Sequence, residues 1–127
     1  MGTSEGMPKA PPLNDPGRRF EEAMQLILAV AGFRILGKRV QFRPWGELDI
    51  HAMDPMTTHE IGVECKDREP ATEHLRAFTT LVQRIGRKFG VYATTHRIGS
   101  RMRQSMREIV EDYRWDGLYF FVIEGQT

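Results

Sequence analysis

Three residues stand out by type and spacing: Asp49, then Glu64 after fourteen intervening residues, with Lys66 two positions further on. Two carboxylates supply the hard oxygen ligands that a Mg²⁺ ion takes together with a substrate phosphate. Such an ion lowers the pKa of water and offsets the charge that grows on a phosphate under attack. A neighbouring lysine can orient the attacking water or stabilise the transition state electrostatically. The backbone carbonyl of Cys65, between Glu64 and Lys66, offers one more oxygen ligand. The chemistry open to this set is metal-assisted attack of water on a phosphate ester. As a bare pattern, Asp…Glu-x-Lys also occurs as the polar face of any half-exposed sheet, so the surrounding elements must decide.

Alternation places the residues on strands. Around Asp49, Leu48, Ile50 and Ala52 alternate with Glu47, Asp49 and His51, which predicts a strand over about 47–53 with Asp49 and His51 on its polar face. Gly62, Glu64 and Lys66 share one face of a further strand over about 60–67, and Cys65 faces the other way, into the core. If the two strands pair as a hairpin, Asp49 and Glu64 converge. Before them, Asp15 as N-cap, Pro16 at the first helical position and Gly32 just past the end delimit a helix over 16–31. Its apolar stripe is Phe20, Ala23, Met24, Ile27, Leu28 and Ala31. A strand over about 34–43 follows, closed by the turn Pro44-Trp45-Gly46. After the lysine, the pattern predicts a helix over about 71–88, a short buried strand over 90–95, a helix over 100–113 and a strand over 118–123. The continuous apolar run of the last strand predicts cover on both faces. The order αβββαβαβ reads as an antiparallel meander with parallel additions.

Length and composition set outer limits. The chain has 127 residues, 40% of them hydrophobic, enough for one core; one domain over 16–127 is expected. Residues 1–15, rich in Pro, Gly, Ser and Lys, are expected to be a disordered leader. No apolar run approaches the roughly 18 residues of a membrane span, and no secretory pattern opens the chain. A soluble cytoplasmic protein is the expectation. One cysteine excludes an internal disulfide and a cysteine zinc cluster. The net charge of +1 predicts no partner by itself. Arginines nevertheless gather after residue 75, and the guanidinium fork suits phosphate. Arg84, Arg87, Lys88, Arg97 and Arg101 are the candidate phosphate contacts, against the plainer reading of a solvated face balanced by Glu108, Glu111 and Asp112.

Taken together, these pieces resemble the PD-(D/E)xK nucleases of the restriction-endonuclease-like superfamily, most closely the Mrr-type family. The resemblance rests on Phe20-Glu21 followed by Gly32-Phe33, on Glu47-Leu48-Asp49-Ile50, on Val63-Glu64-Cys65-Lys66, on Gly90 to Thr95, and on Leu118 to Ile123. It implies an α/β fold with an αβββαβ core, a central mixed sheet flanked by helices, plus a further helix and strand. It implies a Mg²⁺- (or Mn²⁺-) dependent endodeoxyribonuclease acting on double-stranded or branched DNA. Asp49 and Glu64 would be metal ligands, Lys66 the catalytic lysine, and a glutamate of the first helix a fourth site member. Helical geometry chooses Glu21 over Glu22. Glu21 lies about 100° from Phe20, at the edge of the apolar stripe, and Glu22 about 200° away, on the solvent side. The motif's leading Pro-Asp is replaced here by Glu47-Leu48-Asp49. Many nucleases of this superfamily pair as homodimers, and the chain is short enough to be an effector domain of a larger protein. A non-catalytic DNA-binding or assembly module and an RNA-processing nuclease are the rival readings.

His51, His59 and His96 read as ordinary polar or loop residues. Trp45 and Trp115 could stack on bases, with core or rim packing as the plainer expectation.

Overall fold

A computed structural model describes residues 15–125. The expected leader lies, apart from Asp15, outside the described residues. Eight elements follow in the order α1 (Pro16–Val30), β1 (Arg34–Phe42), β2 (Gly46–Met53), β3 (Glu60–Lys66), α2 (Thr72–Arg84), β4 (Phe89–Thr94), α3 (Ser100–Arg114) and β5 (Tyr119–Ile123). The strands form one five-stranded sheet in the order β1-β2-β3-β4-β5. β1, β2 and β3 are antiparallel; β3, β4 and β5 are parallel, each crossover carrying one helix. The mixed α/β architecture expected from the sequence is the one observed.

The helix signals act as their chemistry dictates. The Asp15 carboxylate accepts hydrogen bonds from the Gly17 and Arg18 amides at 2.7 and 3.2 Å, satisfying two otherwise orphaned donors at the start of α1. Gly32 then takes φ 101°, a conformation that ends the helix and that side-chain-bearing residues adopt rarely. α2 stops four residues short of the expected Lys88. Gly86, at φ 75°, reverses the chain, and the Arg87 amide returns to the Val82 carbonyl at 3.1 Å.

Two cores flank the sheet. On one side Leu48, Leu75, Phe78, Val82, Tyr92, Met106, Ile109 and Phe120 join β2, β4 and β5 to α2 and α3. On the other, Met24 and Leu28 of α1 pack on Ile50, Ala52, Ile61, Val63 and Ala93. Each fully buried aliphatic side chain contributes roughly 1.5–3 kcal/mol. Gly62 matters here: a side chain on it would meet the Leu48 isobutyl group at 2.9 Å, so its lack of one lets β2 close over β3.

Two sequence expectations are corrected. β5 is covered on one face only, with Tyr119, Phe121 and Ile123 40%, 56% and 46% exposed. It is the last strand of the sheet, and α1 packs over β1, β2 and β3, leaving the α1 side of β5 open. Strict alternation along β2 also fails. Leu48 joins the α2–α3 core, whereas Ile50 and Ala52 join the α1 core. The strand changes which way it presents its side chains at Asp49, the residue between Leu48 and Ile50.

Candidate active site

The irregularity at Asp49 has a structural cause. β2 and β3 pair from Met53↔Glu60 to Ile50↔Val63, and the ladder stops there. Beyond it β2 stays with β1 as far as Phe42↔Gly46, and β3 stays with β4 as far as Lys66↔Thr94. The sheet therefore forks. In place of a backbone partner, the Cys65 amide donates to the Asp49 carboxylate Oδ2 at 2.7 Å. One side chain thus satisfies a partly buried backbone donor and projects a carboxylate into the fork. The fork lies at the carboxyl ends of β3, β4 and β5, the usual location of sites in open sheets with parallel strands.

The arms carry the other groups. Glu64 and Lys66 alternate with Cys65 on β3, and the Lys66 ammonium sits 3.1 Å from the Glu64 carboxylate. Glu21 reaches in from α1 and is bridged by the Arg39 guanidinium at 3.0 Å. Its neighbour Glu22 points outward, more than half exposed, and pairs with Arg18 at 3.0 Å. Of the two adjacent glutamates, Glu21 is the inward one.

Negative charge is in excess here. Burial pushes the Glu64 carboxyl up to about 7, with the Asp49 charge adding to the shift and Lys66 opposing it. Asp49 is raised by burial, against the lowering effects of the Cys65 amide, Lys66 and Arg39. Glu21 is raised by burial and by Asp49. Burial thus makes all three carboxylates costly to ionise, and the Asp49 charge adds to the cost for Glu64 and Glu21, beside two cations, Arg39 and Lys66. A divalent cation between Asp49 and Glu64 would offset that cost, and the donor set is hard oxygen, as Mg²⁺ or Mn²⁺ requires. Among the described residues, no group of three or more His, Cys, Asp or Glu side chains is drawn together as a metal cage. The residues present fit an ion held by two carboxylates and one backbone carbonyl, leaving its other positions to water and phosphate. The Cys65 thiol is itself no ligand candidate: burial drives its pKa up, and the side chain packs against the α1 core.

Arg39 escaped the sequence reading. It occupies φ 50° on a strand, a left-handed conformation that costs an L-residue roughly 1–2 kcal/mol. The flanking pairs Lys38↔Ile50 and Val40↔Leu48 set it across from Asp49. No sequence signal marks a strained arginine on a strand otherwise rich in Arg and Lys.

The remaining candidates divide by position. Arg97 and Arg101 are exposed at the entry to α3, on the carboxyl side of β4 and hence at the forked end. Beside them Thr95 donates to Asp67 at 2.7 Å, and Glu124 ties Arg103 to the Ile98 amide. Arg87 and Lys88 precede β4 and lie beside Glu60, at the other end of the sheet. Arg87 is held by Glu60 at 3.0 Å. His51, read from sequence as a polar-face residue, is buried, with its Nε2 2.7 Å from the same Glu60 carboxylate and its ring edge-on to Phe42. Arg84 is exposed near the C-terminus of α2, against the β1–β2 turn. Neither tryptophan packs inward: Trp45 is 49% and Trp115 88% exposed.

A forked mixed sheet with a carboxylate on one arm and Glu-x-Lys on the other defines a restriction-endonuclease-like α/β domain. The chain matches the Mrr-type catalytic domain family, described as restriction endonuclease, over residues 14–112, and it belongs to that family. No curated protein matches it. Among solved structures, the SfsA protein of Pyrococcus furiosus in complex with Ca²⁺ is similar at 16% identity and a TM-score of 0.47, covering 93% of this chain and 68% of that one. A likeness that slight bears on neither fold nor function. No helix among the described residues is long and apolar enough to cross a membrane.

Proposed function

We propose that this domain is a Mg²⁺- or Mn²⁺-dependent endodeoxyribonuclease. The observation that carries the reading is the excess of buried carboxylate at the fork, Asp49 and Glu64 beside Lys66, in a chain of the restriction endonuclease family. Asp49 and Glu64 would hold the ion, with the Cys65 carbonyl as a third oxygen. A divalent ion bound there supplies Lewis acidity, activating water and neutralising charge on the phosphate.

The side chains do the rest. The Cys65 amide anchors the Asp49 carboxylate at the fork. Glu64 pairs with the Lys66 ammonium, which holds the lysine at the fork. From there Lys66 donates to the attacking water or to a non-bridging phosphate oxygen as its charge grows. Glu21 orients Arg39, and Arg39 faces the Asp49 carboxylate and the incoming phosphate. Exposed Arg97 and Arg101 would contact flanking phosphates, which position DNA without reading its sequence. The domain would act in the cell interior, as a homodimer or as the effector part of a longer chain.

The decisive experiment is plasmid nicking with Mg²⁺ or Mn²⁺, with Asp49→Asn and Lys66→Ala as controls. Cleavage by the parent and its loss in both variants supports the reading; equal cleavage by all three sinks the site. The rival reading, a DNA-binding module that does not cut, draws on the lack of a three-ligand side-chain cluster among the described residues. It wins if the parent binds DNA and never cleaves.

A further inference from the structure

A second groove lies where the turn that precedes β2 meets α2. The β1–β2 turn lies on α2, where Pro44 and Trp45 face Arg76, Thr80, Leu81 and Arg84 across a groove. Arg76, Thr80 and Arg84 follow at intervals of four, so they line one side of the helix, about 12 Å from first to last. The turn is fixed. The Trp45 amide donates to the Phe42 carbonyl at 2.8 Å, and Gly46, at φ 148°, brings the backbone against Leu81.

Two features fit this groove to a nucleic-acid strand. Trp45 is half exposed, although its turn is packed against the helix. Arg76 and Arg84, like the exposed Arg97 and Arg101, form no ion pair among the described residues, and here two such guanidinium groups lie on one helix face beside an exposed indole. An uncompensated pair of guanidinium groups flanking a free indole face complements a phosphate chain carrying an exposed base. Trp45 also lies four residues before Asp49, roughly 13 Å along the strand, a span of a few nucleotides.

We propose that this groove binds a DNA strand next to the cleavage site, with one unpaired base stacked on Trp45 and the neighbouring phosphates on Arg76 and Arg84. The assignment rests on the nuclease reading for its choice of DNA and goes beyond it in substrate class. Away from its ends, a duplex keeps both faces of every base stacked, so an indole can reach an internal base only at a flap, fork, junction or flipped nucleotide. The preferred substrate is therefore branched or frayed DNA.

The test uses the intrinsic fluorescence of Trp45. The chain has two tryptophans, and Trp115→Phe removes the other. In EDTA, where no metal-dependent cleavage occurs, this variant is titrated with a single-stranded oligodeoxynucleotide, a forked duplex and a relaxed closed-circular duplex, which has no ends. Binding is followed in parallel by anisotropy. The single strand and the fork should quench Trp45, and the closed-circular duplex should not. Trp45→Ala should weaken fork binding about tenfold, with Trp45→Phe retaining most of it. Arg76→Ala with Arg84→Ala should lower the salt dependence by about one to two counterions. Fork binding without quenching, equal quenching by the closed-circular duplex, or unchanged affinity in both sets of variants overturns the proposal. Plasmid cleavage with Mg²⁺ is read separately. Cleavage with a silent Trp45 removes only the groove, and quenching without cleavage removes only the nuclease reading.

Discussion

β3 carries a charged cluster at each end, and the two are built differently. At its start, Glu60 is held by Arg87 at 3.0 Å and by His51 at 2.7 Å, one carboxylate between two basic groups. At its end, Glu64 shares the fork with Asp49 and Glu21, three carboxylates beside Lys66 and Arg39. The first cluster is closed upon itself and needs nothing further. The second has more carboxylates than cations, and its carboxyl groups bind protons more readily than usual, chiefly because they are buried, with the Asp49 charge adding to the effect on Glu64 and Glu21. Ion pairs alone therefore do not mark a functional site; a deficit that a ligand could fill does.

The strongest way to break this comparison is cleavage itself. Asp49→Asn and Lys66→Ala should each reduce divalent-dependent DNA cleavage by roughly 10²–10³-fold or more. Glu60→Gln should leave it within about threefold of the parent, as expected of a change remote from the chemistry. If Glu60→Gln costs as much as Lys66→Ala in a nicking assay, the two ends are not functionally distinct.

Arg39→Gly separates backbone strain from chemistry. Glycine accepts the left-handed conformation without strain, offsetting the lost Glu21 ion pair, so thermal unfolding should stay within about 1 kcal/mol of the parent. Cleavage should fall about 10-fold or more, because the guanidinium facing Asp49 is gone.

The electrostatic deficit has a pH signature. Glu64 has a folded pKa of about 7, above its ordinary 4.5, so the folded state binds more protons than the unfolded state between those values. Stability of the metal-free protein should therefore fall as pH rises from about 5 to 8, by about 1–3 kcal/mol. Mg²⁺ or Mn²⁺ should restore it at pH 8, and Glu64→Gln should flatten the slope. Denaturant unfolding across that range with EDTA and with metal is the measurement; a stability that climbs with pH contradicts the charge excess.

The smallest effect belongs to the closed cluster. Arg87→Ala should cost about 1 kcal/mol in unfolding free energy, since its partner Glu60 remains partly solvated. It should leave DNA affinity unchanged, and a measurable loss of affinity would draw the DNA footprint toward the far end of the sheet.

Most of the architecture was legible because its signals are local. Asp15, Pro16 and Gly32 delimit α1 through backbone chemistry, and the alternation around Ile61, Val63 and Cys65 fixes the inward face of β3. What the sequence hid depends on residues that are distant along the chain. The rule of alternation put Asp49 with His51 and Leu48 with Ile50, but the fork breaks that rule where β2 leaves β3. Whether β5 is covered on one face or two depends on where α1 lies, which five apolar residues in a row do not state. Arg39 was invisible because its conformation is imposed by its place in the sheet. The contacts made by Arg84, Arg87 and Lys88 turned on Gly86, which ends α2 before the basic run is complete.

The hydrogen bond from the Cys65 amide to Asp49 bears on how such a domain can change its role. The fold needs an acceptor at that position, to receive a backbone N–H; the chemistry needs a charge. Asparagine supplies the first and not the second, and it is one nucleotide substitution away from aspartate. On the proposed reading, an aspartate-to-asparagine change at position 49 would end cleavage while leaving the fork's hydrogen bond in place. A cutting domain and a merely binding one would then differ by a single codon and share nearly the same backbone.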